Sequence, residues 1–333
     1  MRALVIPEPG RFSLETLPDP SAGPGELVIA PDACGICGTD LHILAGEVPF
    51  TSYPIVPGHE FSGEVVEAGE GVDHVRVGDV VAVEPSLFCG RCHQCRRGRE
   101  NLCENFDSIG VGRQNGACAE FVRVPGHKAF ALPDGMTRAW GPLVEPVSCA
   151  VHGFDMLQAR LGDHVLIYGA GAIGLILTQI AAHYGAASVS VVDTNPARLP
   201  RAGRAGADFV AGSADELDRP GGWDVVIDAT GVVAAIEDAI RRAARGGTVL
   251  LFGVAPHEAQ ARFSPFRVYN AELRIIGSMA IRHSFERALH LMGRGVIDGD
   301  LLQTHRFALD EYGDALETFR RGDGLKLTVV PGS

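Results

Sequence analysis

The N-terminal part of the chain is built of short apolar runs broken by glycine and proline. Leu27-Val28-Ile29-Ala30, Gly63-Glu64-Val65-Val66, Val80-Val81-Ala82-Val83 and Phe121-Val122-Arg123-Val124 all have strand length and are bounded by turn residues. They predict a mostly β unit over residues 1–147. From Leu161 the rhythm becomes strand, glycine turn, helix. Residues 165–168, 188–192, 225–228 and 248–253 read as strands, and 173–184, 196–205 and 233–244 as helices, the second opened by proline in its first turn. Strands alternating with helices predict an α/β unit, with a parallel sheet covered on both faces. That unit is expected over residues 148–285, and the remainder, 286–333, carries helical periodicity and ends in the strand-like run Leu327-Thr328-Val329-Val330. No internal repeat, low-complexity segment or linker-like run interrupts this order.

A length of 333 residues exceeds the usual single core, which agrees with two domains. With 46% hydrophobic and 21% charged residues the composition is that of a folded globular protein. No stretch approaches the roughly 20 apolar residues that span a bilayer. The segment Met1-Arg2-Ala3-Leu4-Val5-Ile6-Pro7-Glu8 has too short an apolar run for a secretory signal, so a cytoplasmic location is expected. A formal charge of -12 argues against nucleic acid or anionic lipid as the main partner. In a reducing compartment the eight cysteines read first as metal ligands or buried thiols.

Gly169-Ala170-Gly171-Ala172-Ile173-Gly174 fits G-x-G-x-x-G between a predicted strand and a predicted helix. Gly169 allows the tight turn, Gly171 the approach of a pyrophosphate, and Gly174 close helix packing, with Ala172 and Ile173 opening the helix whose N-terminus meets the phosphates. Asp193 closes the next strand, about 20 residues on, where a carboxylate accepts hydrogen bonds from ribose hydroxyls. It would repel a 2′-phosphate, so NAD is expected over NADP. Arg198 is a possible counterweight, or an exposed residue on the following helix. Thr230-Gly231 and Phe252-Gly253-Val254 end later strands on the ligand side of such a sheet, either lining the cofactor or serving as turns.

Cys89, Cys92, Cys95 and Cys103 form a C-x2-C-x2-C-x7-C cluster. Four thiolates in one loop suit a closed tetrahedral zinc of structural type. Iron–sulfur ligation has similar spacing, and unliganded thiols are the plain alternative. A second donor set is mixed: Cys37, His59, Glu60 and Glu145. Thiolate, imidazole and carboxylate together leave zinc room for a substrate oxygen, whose hydroxyl pKa the metal lowers. Taken singly, His59 reads equally well as a core histidine.

The segments Cys34-Gly35-Ile36-Cys37-Gly38-Thr39-Asp40-Leu41-His42 and Gly58-His59-Glu60-Phe61-Ser62-Gly63-Glu64-Val65, with the four-cysteine loop and the glycine motif, closely resemble the zinc-containing medium-chain dehydrogenases over essentially the whole chain. Glu60 after the histidine, and Glu145-Pro146 followed by Ala150-Val151-His152, resemble the sorbitol/polyol and threonine dehydrogenase branch. The resemblance implies a GroES-like, partly open β-barrel catalytic domain to which the C-terminal segment returns, and a Rossmann-type NAD domain inserted between. It implies two Zn2+ per chain: a catalytic one on Cys37, His59 and Glu60, with Glu145 a direct or water-mediated ligand, and a structural one on the four cysteines. It further implies that Thr39 accepts the substrate proton, passed through the nicotinamide ribose to His42, while Asp40 orients His59. As unaided residues, Thr39 and Asp40 read as a turn or helix cap. Dimers or tetramers are the family's usual assemblies.

The expected reaction is NAD-linked oxidation of a secondary alcohol to a ketone. Val83-Glu84-Pro85 and residues 266–278 resemble the polyol branch, whereas residues 110–113 and 119–121 are also similar to threonine dehydrogenases. Ser278-Met279-Ala280-Ile281 lacks the arginine and tyrosine that contact substrate in animal-type sorbitol dehydrogenases, which disfavours sorbitol itself. A sugar alcohol is expected, with L-threonine or an aminocyclitol of the deoxy-scyllo-inosamine type as alternatives. A dinucleotide-sensing regulatory homologue would keep the glycine motif without needing Cys37, Thr39, His42, His59 and Glu60 together.

Overall fold

The computed structural model describes residues 1–332 and divides the chain into two compact units. The first comprises Met1–Ser148, Ile281–Gly293 and Leu302–Ser333, and the second Cys149–Ala280 and Arg294–Leu301. Among the described residues no helix is long and apolar enough to cross a membrane.

The first unit is organised by a seven-stranded sheet. Its order along the path is Gln303–Ala308, Lys326–Val330, Glu26–Gly35, Glu60–Ala68, Val80–Val83 and Ala129–Ala131, and Val122–Pro125 also pairs with Glu26–Gly35. The strand Glu26–Gly35 holds the unit together because three others pair with it. Its residues Leu27, Ile29 and Cys34, with Ile36 just beyond its end, are buried with Phe61, Val65, Leu327 and Val329 in one apolar cluster. Fully burying an aliphatic or aromatic side chain of this size stabilises by about 1.5–3 kcal/mol, and through Leu327 and Val329 the C-terminal strand shares in this core. Register then decides what meets at the strand's end. Gly35 lies opposite Glu60 on one side and Thr328 on the other.

The second unit is a six-stranded parallel sheet in the order Phe209–Ala211, Ser188–Val192, His164–Tyr168, Trp223–Asp228, Ala243–Leu251 and Arg274–Gly277. Val165, Leu166, Ile167 and Val225, Val226, Ile227 are buried without alternation, as strands covered on both faces require. The strand order reverses direction on either side of His164–Tyr168, the switch point at which such sheets open a ligand crevice.

Several expectations move. The helix expected at 196–205 is Leu199–Arg204, with Pro200 and not Pro196 in its first turn. Asp193 and Asn195 explain the delay: their side chains accept from the Asn195 and Ala197 N–H groups and hold the chain in successive turns. The helix expected to reach Ala244 is Val233–Arg242, because Ala243 already begins the next strand. The strand Gln303–Ala308 and the N-terminal hairpin Arg2–Glu8 with Arg11–Thr16 were not anticipated.

Candidate active site and metal centres

Strand Glu26–Gly35 delivers Cys37 to the cap of helix Gly38–Ala45, and the facing strand begins at Glu60 directly after His59. The ligand atoms of Cys37, His59 and Glu60 all lie within 4.8 Å of one another, and His59 and Glu60 are buried. The cap has its own logic: the Cys37 N–H donates to Asp40 Oδ2 at 2.8 Å, placing a carboxylate in the first helical turn, where the helix dipole favours it. Thr39 Oγ1 stands 3.6 Å from Cys37 Sγ.

Glu145 comes from the first turn of helix Val144–Leu157 and stands outside the three-residue cluster, though its charge acts on both His59 and Lys326. Burial disfavours the His59 imidazolium, but the Cys37 hydrogen bond and the charges of Asp40, Cys37 and Glu145 outweigh it, and His59 is pushed up to about 10. Burial pushes the Asp40 carboxyl upward against the pull of His59. His59 Nδ1 and Asp40 Oδ1 are both buried without a hydrogen-bond partner. Asp40 therefore reaches His59 through its charge while its hydrogen bond goes to Cys37. A site with excess negative charge, an unpartnered imidazole nitrogen and thiol, imidazole and carboxylate donors fits a zinc ion.

Two further residues join these groups, Lys326 at the cluster and Glu47 at His42. Lys326 Nζ lies 2.5 Å from Glu60 Oε2 and 3.4 Å from the Ile36 carbonyl, and its side chain is almost fully buried. A lysine inside an apolar strand is itself a signal, since buried cations require a counter-charge. Glu47 Oε2 lies 2.5 Å from His42 Nδ1, at the exposed end of the helix.

The four-cysteine loop also closes. Cys92 Sγ lies 3.5 Å from Cys95 Sγ and 3.9 Å from Cys103 Sγ, and Cys103 Sγ lies 3.5 Å from Cys89 Sγ. Backbone N–H groups of Cys89 and Asn105 point at Cys103 Sγ, each at 3.3 Å. The Arg91 and Cys92 N–H groups pull Cys89 down to about 6, whereas burial pushes Cys95 up to about 12. These four residues fit a metal held by sulfur alone. Cys34 and Cys118, by contrast, are fully buried partners of each other.

In the second unit the glycine loop follows strand His164–Tyr168 at the switch point. A Cβ on Gly174 would come within 1.8 Å of the Gly169 carbonyl, so only glycine lets helix Ala172–Tyr184 start this close to the strand. Asp193 Oδ2 accepts from the Ala170 N–H at 2.7 Å and stands 3.7 Å from Arg198 Nη1. Arg198 is thus the neighbour of Asp193 and not an exposed helix residue; the turn before Leu199 brings it back. Thr230 and Gly231 are organised by Asp228, a fully buried carboxylate accepting from Thr230 N, Thr230 Oγ1 and Gly231 N. Phe252 and Gly253 donate to the Asp228 carbonyl, and Val254 beyond them is 82% exposed. Asp228 is a further organising residue, signalled only by its place as the last residue of an apolar strand.

Comparison with known proteins places these features. Residues 23–134 match the alcohol dehydrogenase GroES-like domain, and residues 172–294 match the zinc-binding dehydrogenase domain. The chain is 36% identical to D-arabinitol dehydrogenase 1 of Uromyces fabae, over 99% of this chain and 97% of that protein. It is 34% identical to L-threonine 3-dehydrogenase of Sinorhizobium medicae, over 99% and 98%. A crystal structure described as a zinc-binding dehydrogenase from Sinorhizobium meliloti 1021 bound to NADP superposes with a TM-score of 0.95 at 36% identity, covering 99% of each chain. The chain belongs to the zinc-containing medium-chain alcohol dehydrogenase family, whose members are oxidoreductases acting on alcohols.

Proposed function

We propose that this protein oxidises a secondary hydroxyl of a sugar alcohol to a ketone, with NAD as hydride acceptor and zinc held by Cys37, His59 and a carboxylate. The convergence of Cys37, His59 and Glu60 to within 4.8 Å, on segments far apart in sequence, carries this reading. Zinc bound there supplies Lewis acidity that lowers the pKa of a hydroxyl. Thr39, beside Cys37, accepts the proton of that hydroxyl, and His42 exchanges it with solvent while Glu47 holds Nδ1. Glu145 adds negative charge that compensates the cation.

NAD is favoured because Asp193 keeps its carboxylate at the strand end, where a 2′-phosphate would meet like charge. Arg198 weakens that discrimination without replacing it. Cys89, Cys92, Cys95 and Cys103 hold a second, structural zinc. The polyol preference is supported by likeness to an arabinitol dehydrogenase, and the threonine dehydrogenase likeness makes L-threonine the second substrate to examine. The test is metal content set against NAD-linked turnover. Two zinc ions per chain, with activity lost on chelation and restored by zinc, support the reading; full activity in metal-free protein overturns it.

A further inference from the structure

Lys326 stands where a cation is unexpected. Its side chain is 5% exposed, and burying an ammonium costs several kcal/mol unless a partner compensates. That partner is the Glu60 carboxylate, in direct contact with the ammonium. Its partner is fixed as well. The Glu60 carboxylate lies over Gly35, where a Cβ would come within 2.2 Å of Oε2, and the ammonium closes on that oxygen at 2.5 Å while also donating to the Ile36 carbonyl at 3.4 Å. Strand register enforces the arrangement, because Lys326–Val330 and Glu60–Ala68 flank the same strand, Glu26–Gly35.

A carboxylate oxygen committed to an ammonium is a poorer metal donor than a free one. We infer that Lys326 is a positioning residue that competes with the metal for Glu60, keeping this carboxylate in reserve so that a coordination position stays open for the substrate hydroxyl. The inference rests on Cys37 and His59 being zinc ligands. It separates the two carboxylates of the site: Glu60 is restrained by a direct ion pair, and Glu145, outside the cluster, is not part of that pair.

The experiment uses the full chain with cobalt in place of the catalytic zinc, read by visible absorption and by the rate of metal loss to a chelator. Lys326→Met should release Glu60 onto the metal, weakening the absorption bands as the coordination number rises and slowing metal loss by about tenfold. The KM for the alcohol should rise with it. Lys326→Arg should keep the original spectrum. In a Glu60→Gln background, Lys326→Met should change neither readout, because the group it acts through is gone. A folded Lys326→Met protein with unchanged bands and metal loss overturns the inference, as do effects that persist in the Glu60→Gln background. Should Lys326→Met not fold, Glu60→Gln alone decides: retained bands support a reserve carboxylate, and altered bands show that Glu60 already ligates and overturn it. Loss of one metal in Cys37→Ser combined with an inert Lys326→Met refutes the inference alone; a Cys37→Ser protein that keeps both metals refutes the zinc reading beneath it.

Discussion

Asp193 Oδ2 accepts a hydrogen bond from the Ala170 N–H at 2.7 Å, tying the end of one parallel strand to the glycine loop that follows its neighbour. Its other oxygen accepts from the Asn195 N–H. A carboxylate has about four acceptor positions, so two remain for the hydroxyls of a ribose. The backbone thus aims Asp193 before any cofactor arrives. Asp193→Ala should remove that acceptor, take away the carboxylate that stands 3.7 Å from Arg198, and move the NAD/NADP ratio of kcat/KM toward NADP by about tenfold, or ~1.4 kcal/mol. An unchanged ratio would mean that Asp193 does not meet the ribose.

Cys37→Ser replaces a thiolate by a weak hydroxyl donor in a cluster of three. The variant should lose one metal per chain and most of its turnover while binding NAD as before, because the glycine loop lies on other segments. Metal analysis and cofactor fluorescence titration check both halves. Retained full turnover would remove Cys37 from the chemistry.

Cys92→Ser acts on the other cluster, in which Cys92 contacts both Cys95 and Cys103. Binding energy at a structural zinc is folding energy, so the loss should appear as a lower Tm and faster release of the second metal, with a smaller change in kcat. An equal loss of kcat in protein of native Tm would contradict a structural role.

Within the same loop Cys89 has a pH dependence of definite sign. In metal-free protein Cys89 is depressed from 9.0 to about 6, chiefly by the Arg91 and Cys92 N–H groups. The folded loop therefore favours thiolate where the unfolded chain holds thiol. The stability this contributes is complete above the ordinary thiol pKa and is lost as the pH falls through about 6. Zinc capture by metal-free protein, followed by a metal-sensitive dye, should fall steeply below about pH 6. Capture that is flat from pH 8 to pH 5 would contradict it.

Much of this was legible in the sequence because the informative features are local. The glycine loop, the four-cysteine loop and the pair His59-Glu60 each lie within one short stretch of sequence, and apolar runs bounded by turn residues identified strands in both units. What could not be read there depends on register. Lys326 and Glu60 are 266 positions apart and meet only because two strands flank Glu26–Gly35. Arg198 reads as an exposed helix residue until the Asp193 and Asn195 turns delay the helix and return it to Asp193. The strand Gln303–Ala308, with Gln303, His305 and Arg306 along it, lacks a clear alternation and is held by pairing with Lys326–Val330. In the two strand cases tertiary pairing decides, and for Arg198 the local turn does.

NAD reduction by zinc-loaded protein across pentitols, hexitols, inositols, aminocyclitols and L-threonine, with NADP in parallel, tests the central claim most directly. The expected result is turnover of a pentitol or hexitol with NAD, absent in Cys37→Ser. Silence toward every sugar alcohol in metal-replete protein, or turnover confined to L-threonine, would contradict it.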